Sequence, residues 1–129
     1  PQLVASAVEE LIRFDSPLQL FERTAIADTA IGNVTVGTGQ RIAALLGAAN
    51  RDPAVFAEPD RFDVTRRDNP HLGFGAGIHF CVGAPLARVE LQASLQTLLR
   101  RFPRLALHAV PRRRPEFVIR GVESLPVTI

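Results

Sequence analysis

The one cysteine of this chain, Cys81, lies in the run Phe74-Gly75-Ala76-Gly77-Ile78-His79-Phe80-Cys81-Val82-Gly83, directly before a segment with helical apolar spacing. Cysteine binds metals as the thiolate, and a nearby helix N-terminus with its free N–H groups favours that ionised form. A loop feeding a helix start supplies such a setting. Gly75, Gly77 and Gly83 remove Cβ atoms from the loop, so a large flat ligand can approach the main chain. These features together read as an axial sulfur ligand beneath a planar metal macrocycle. The alternative is a buried thiol that packs as a small hydrophobe, the usual state of a lone free cysteine.

Two other charged patterns could do chemistry. Glu10 and Arg13 stand at i and i+3, on one face of an expected helix. Taken alone, such a pair is most often a solvated surface ion pair. Arg112-Arg113-Arg114 is a basic run, but nucleic-acid binding wants interleaved aromatic residues and a wider basic face. Only Phe117 is near, so a solvated loop is the expectation there.

The elements that must position these residues follow from periodicity. Val4, Ala7, Val8, Leu11 and Ile12 predict a helix over 2–14, stopped by Asp15-Ser16-Pro17. Strands are expected over 18–46: one at 18–27, hairpin arms at 29–31 and 34–36 around Gly32-Asn33, and a mostly buried strand at 41–46. Residues 50–83 form a long loop rich in Pro, Asp, Asn and Arg that ends on the Cys81 run, and loops of that length tend to be functional. A second helix is expected over 82–101, with Leu91, Leu95, Leu98 and Phe102 as its stripe and Pro85 tolerated in the first turn. Short strands are expected within 105–129, at 105–109, 116–120 and 125–129. The fold class is α+β, with two main helices, short antiparallel or mixed strands and a long meander loop.

At 129 residues, the chain fits one domain, and 47% apolar with 22% charged residues is ordinary for a soluble globular chain. No apolar run nears the roughly 18 residues of a membrane span, and no targeting segment is visible. One cysteine excludes an internal disulfide framework and suits a reducing compartment, so the expected location is cytoplasmic.

The Cys81 run resembles the haem-binding loop of the cytochrome P-450 family, the haem-thiolate monooxygenases. Phe74, Gly75, Gly77, His79, Cys81 and Gly83 fill that pattern without a gap, and the match continues through Ala84-Pro85-Leu86-Ala87-Arg88. Glu10-Leu11-Ile12-Arg13 matches the family's E-x-x-R, and Arg61 in Pro59-Asp60-Arg61-Phe62 matches its third member. The resemblance implies the C-terminal, proximal haem-side part of that fold, a single partial domain over 1–129 that binds haem b through Cys81. It implies that Glu10, Arg13 and Arg61 clamp the meander, and that Phe74 packs by the ring or sulfur. Amides of Gly75 and Gly77 would point at the sulfur. Arg23 and His79, with His71 near them, would meet the haem propionates. Leu20, Phe21, Val118 and Ile119 would line the substrate pocket, although each could equally be plain core.

The chemistry so implied is insertion of one oxygen atom from O2 into a small organic substrate, with electrons from a ferredoxin-type donor. Arg66, Arg67 and Arg88 could dock an acidic donor. No nucleic-acid or membrane partner is expected. The resemblance covers only the last part of the family's chain and leaves the distal oxygen-activating helix unmatched. Little coupled oxygenation is therefore expected of these residues alone, with self-association through an exposed apolar face. A stand-alone haem-binding or sensing module and a non-catalytic structural remnant are the alternatives.

Overall fold

The computed structural model describes residues 2–129. Helix α1 (Val4–Phe14) carries the core, burying Val4, Ala7, Val8 and Ile12. Full burial of each larger aliphatic side chain is worth about 1.5–3 kcal/mol. Leu11, expected in that stripe, is exposed. Two charged side chains, Glu10 and Arg13, are buried instead. The buried face of α1 is therefore wider than its apolar residues indicate, and partly ionic.

Strand β1 (Leu20–Thr24) pairs antiparallel with β4 (Arg41–Leu45), with Arg23 opposite Ile42. Between them, β2 (Thr29–Ile31) and β3 (Val34–Val36) form a tight hairpin whose turn uses Gly32 at a φ of 57°. The 41–46 strand was expected to be mostly buried, yet only Ile42 in β4 is even half-buried. Leu46, buried, does not extend β4 but opens the one-turn helix α2 (Leu46–Ala49).

Residues 50–83 contain no strand, and their regular structure is limited to turns and a short 3₁₀ turn at Gly77–His79. Phe56 is buried in this stretch. Helix α3 (Ala84–Arg101) follows and packs alongside α1. Only Ala84 on α3 is fully buried; Leu91 and Leu98 of its expected stripe are exposed.

The C-terminal strands are β5 (Ala106–Leu107), β6 (Arg112–Arg113), β7 (Val122–Ser124) and β8 (Val127–Thr128). They pair as β5–β8 and β6–β7, and every strand pairing among the described residues is antiparallel. The strand expected at 116–120 does not form. Arg112 and Arg113 fold back onto β7, so 114–121 becomes the tip of that hairpin, closed by the Arg114 N–H donating to Gly121 O at 3.1 Å. A single bridge joins Ile119 to Leu18. The fold class is α+β, as the helix and strand patterns indicated.

Candidate functional site

Glu10 is fully buried, so its carboxylate must be matched inside the protein. Arg13 supplies a bidentate fork, Nε to Oε2 and Nη2 to Oε1, both at 2.8 Å. The Asp63 N–H donates to Oε1 at 2.9 Å, and Arg66 Nε and Asn69 Nδ2 each reach Oε2 at 3.2 Å. Burial opposes ionisation, but the Arg13 hydrogen bonds, the Asp63 N–H and the two guanidinium charges outweigh it. The carboxyl is held below the ordinary range. Arg13 spends its remaining donors on the carbonyls of Asn50, Pro59 and Arg61. One buried ion pair on α1 thus holds the loop from Asn50 to Asn69.

The second arginine of this clamp is Arg66, not Arg61. The Arg61 guanidinium is 62% exposed and pairs with the still more exposed Glu58. Only the Arg61 carbonyl faces the clamp, as an acceptor for Arg13. Arg66 is 11% exposed in its side chain and anchored a second time on Ala57 O. Sequence reasoning also missed Asn50, a fully buried side chain that donates to Ser16 Oγ and accepts the Leu72 N–H, both at 2.7 Å. Its position as the first residue of the expected loop offered no signal.

Past Leu72 the chain runs tightly under α1. A Cβ on Gly73 would overlap the Ile12 Cγ2 methyl, so only glycine permits this approach. Gly75, at a φ of 74°, turns the loop; a Cβ there would also stand 3.4 Å from the Phe21 ring. The Cys81 N–H donates to Phe74 O at 2.9 Å, closing the loop on itself. The Gly75 N–H donates to Leu72 O at 2.8 Å and is therefore not aimed at the sulfur as expected. Among the described residues, the amides of Val82 and Gly83 meet no backbone acceptor.

Cys81 is exposed and unpaired by any disulfide. Its sulfur lies 3.8 Å from where a Gly83 Cβ would be, at the uncapped start of α3. Among the described residues no three His, Cys, Asp or Glu side chains converge to hold a bare metal ion. A metal bound here through one sulfur would bring its other ligands with it, as a porphyrin does. The exposed thiol, the unspent amides and the exposed apolar side chains Ile78, Phe80 and Val82 around it fit such a group.

Around this loop the expected haem partners divide. Arg23 is exposed, donates to its own neighbour's carbonyl, Glu22 O, and meets no carboxylate among the described residues. His79, also exposed, ends the 3₁₀ turn. His71 is not available in the same way. Its side chain is 2% exposed, Nδ1 accepts the Gly73 N–H, and Nε2 lies 2.9 Å from Glu9 Oε2. With both ring nitrogens used internally, it is an unsuitable propionate partner. Arg66 and Arg88 are likewise committed, to Glu10 and Glu9, so Arg67 alone of the three expected docking arginines lacks a carboxylate among the described residues.

The two apolar segments expected at a substrate come together. The Gln19 N–H donates to Val118 O at 2.9 Å, beside the Leu18–Ile119 bridge. Leu20 and Phe21 are half-buried, while Val118 and Ile119 are exposed.

Comparison with known proteins gives one answer. The family model "Cytochrome P450" matches residues 2–120. The biotin biosynthesis cytochrome P450 of Bacillus subtilis is 50% identical over 129 residues, covering 99% of this chain and 33% of that protein. The mycinamicin IV hydroxylase/epoxidase of Micromonospora griseorubida is 49% identical, covering 98% of this chain and 33% of its own length. The solved structure of P450BioI in complex with hexadec-9Z-enoic acid ligated acyl carrier protein superposes with a TM-score of 0.96 at 51% identity. That match covers 99% of this chain and 34% of the P450BioI chain. The chain therefore spans about a third of the length of the relatives it matches.

Proposed function

The chain belongs to the cytochrome P450 family, and we infer that it forms the proximal, thiolate-bearing part of a monooxygenase that acts on a small organic substrate. Haem b on Cys81 would supply the oxygen chemistry, because a thiolate ligand pushes electron density onto iron and favours O–O cleavage. The observation that carries the reading is the exposed Cys81 sulfur beside Gly83 at an uncapped helix start, on a loop closed through Phe74 O.

Each residue has a distinct task in this reading. Cys81 would ligate iron, on a loop where the Val82 and Gly83 amides meet no backbone acceptor among the described residues. Arg23 and His79 donate to the propionates, and a carboxylate-free Arg23 suits that role. Phe74, within the ligand loop, would pack beside the haem ring or the sulfur. Leu20, Phe21, Val118 and Ile119 present apolar surface to the substrate. A ferredoxin-type donor would supply electrons, with Arg67 available to meet acidic residues on it. As a third of its relatives' length, the 129-residue chain alone should give little or no coupled oxygenation. Exposed Leu86, Val89, Leu98 and Leu99 on α3 favour its self-association.

The test is haem addition followed by the ferrous carbonyl spectrum. A red-shifted, thiolate-type Soret band that disappears in Cys81→Ser supports the reading. A band that survives the substitution means another ligand holds the iron, and the assignment fails.

A further inference from the structure

Glu9 precedes the clamp residue Glu10 but faces a different set of partners. Its Oε1 accepts Arg88 Nε at 2.7 Å, and its Oε2 accepts Arg88 Nη2 at 2.9 Å and His71 Nε2 at 2.9 Å. Because His71 Nδ1 accepts the Gly73 N–H, the ring proton belongs on Nε2, where it donates to Glu9. The guanidinium of Arg88 also lies 4.7 Å from the Phe74 ring centroid, and His71 lies 6.0 Å from that ring. Phe74 in turn holds the Cys81 amide through its carbonyl. None of the Glu10 partners outside α1 (Asp63, Arg66 and Asn69) belongs to this cluster.

We propose that Glu9, His71 and Arg88 form a second carboxylate clamp, which positions the Cys81 loop from both ends and cancels the charge of Arg88 beside it. His71 is on the approach to the loop, Arg88 on the helix that leaves it, and Glu9 ties both to α1. The bidentate fork fixes the plane of the guanidinium, and that plane fixes the Phe74 ring it covers. The hydrogen bonds from Arg88 hold the Glu9 carboxyl below its ordinary range, and Glu9 holds Arg88 above its own, so both are charged at neutral pH. The electrostatic half of the proposal rests on the haem-thiolate reading; the positioning half does not.

Two measurements separate the halves. In the haem-free full chain, amide hydrogen exchange at Cys81 should quicken about tenfold or more in Glu9→Gln and in Arg88→Gln, each of which unties one side. Exchange unchanged in both variants overturns positioning. In the haem-loaded protein, an uncompensated cation favours the reduced iron and an uncompensated carboxylate the oxidised iron. Glu9→Gln should therefore raise the midpoint potential and Arg88→Gln lower it. Each shift should approach a tenfold change in the reduction equilibrium, about 59 mV for one electron. The charge-balanced double variant E9Q/R88Q should return near the parent value, and it covers the case in which a single variant folds poorly. A merely structural role would move both single variants in the same direction, and that outcome overturns charge compensation. A parent protein lacking the thiolate-type spectrum would sink the haem reading, while the exchange data still decide the clamp.

Discussion

Arg61 and Arg66 lie in one loop and carry the same charge, yet their removal should have different consequences. Arg66→Ala takes a hydrogen-bonded cation from a carboxylate with no exposed surface and frees the Ala57 carbonyl. A charge-assisted hydrogen bond to a buried group is worth about 1.5–3 kcal/mol. Glu10 keeps its Arg13 fork in this variant, so the loss should be about 2 kcal/mol and no more. Arg61→Ala removes an exposed i,i+3 pair with Glu58, worth about 0.3 kcal/mol, and leaves intact the backbone carbonyl that Arg13 uses. Glu10→Gln should exceed both at about 3–5 kcal/mol, because it strands the fully buried Arg13 guanidinium. Urea unfolding followed by far-UV circular dichroism gives the ranking. With a denaturant slope near 2 kcal/mol/M, Arg66→Ala should lower the midpoint by about 1 M and Arg61→Ala by only about 0.15 M. An Arg61→Ala midpoint as low as that of Arg66→Ala would refute the clamp assignment.

Three other outcomes are expected. Glu9 and Glu10 titrate below the ordinary glutamate value of 4.5 when folded, so the unfolded chain binds more protons in acid. The stability they contribute is complete above about pH 4.5 and is lost as pH falls through their depressed folded values. An E9Q/E10Q double variant with an unaltered acid limb of stability against pH would contradict this. Gly73→Ala should cost about 1–3 kcal/mol through overlap with Ile12, and Ile12→Ala in the same chain should recover part of it; strictly additive losses in thermal melts would show that the two do not touch. Arg23→Gln should weaken haem retention severalfold while leaving the thiolate-type spectrum unchanged in shape, as measured by haem transfer to a stronger acceptor; equal retention removes Arg23 from the propionate site.

What could be read from the chain was whatever depends on local spacing. The Cys81 run, with glycines before it and helical periodicity after it, identified the family and the α+β class before any coordinates. The hairpin around Gly32-Asn33 follows from turn chemistry in the same way. Local spacing could also mislead. Residues 116–120 have strand-like composition, but the β6–β7 pairing makes them a hairpin tip.

Partner choice among chemically equivalent groups was decided only by the tertiary structure. Arg61 and Arg66 are indistinguishable by type, and the backbone path of the loop alone turns one inward and the other to solvent. His71 and His79 differ likewise: packing under α1 uses both ring nitrogens of the first, while the second stays exposed on the 3₁₀ turn. Glu9 and Glu10 are neighbours whose side chains leave α1 about 100° apart, so each meets a different arm of the chain. Residue type and spacing specify which chemistry is present, because they act over a few bonds. Which donor meets which acceptor is settled by burial, where an unmatched charge is too costly to leave unpaired.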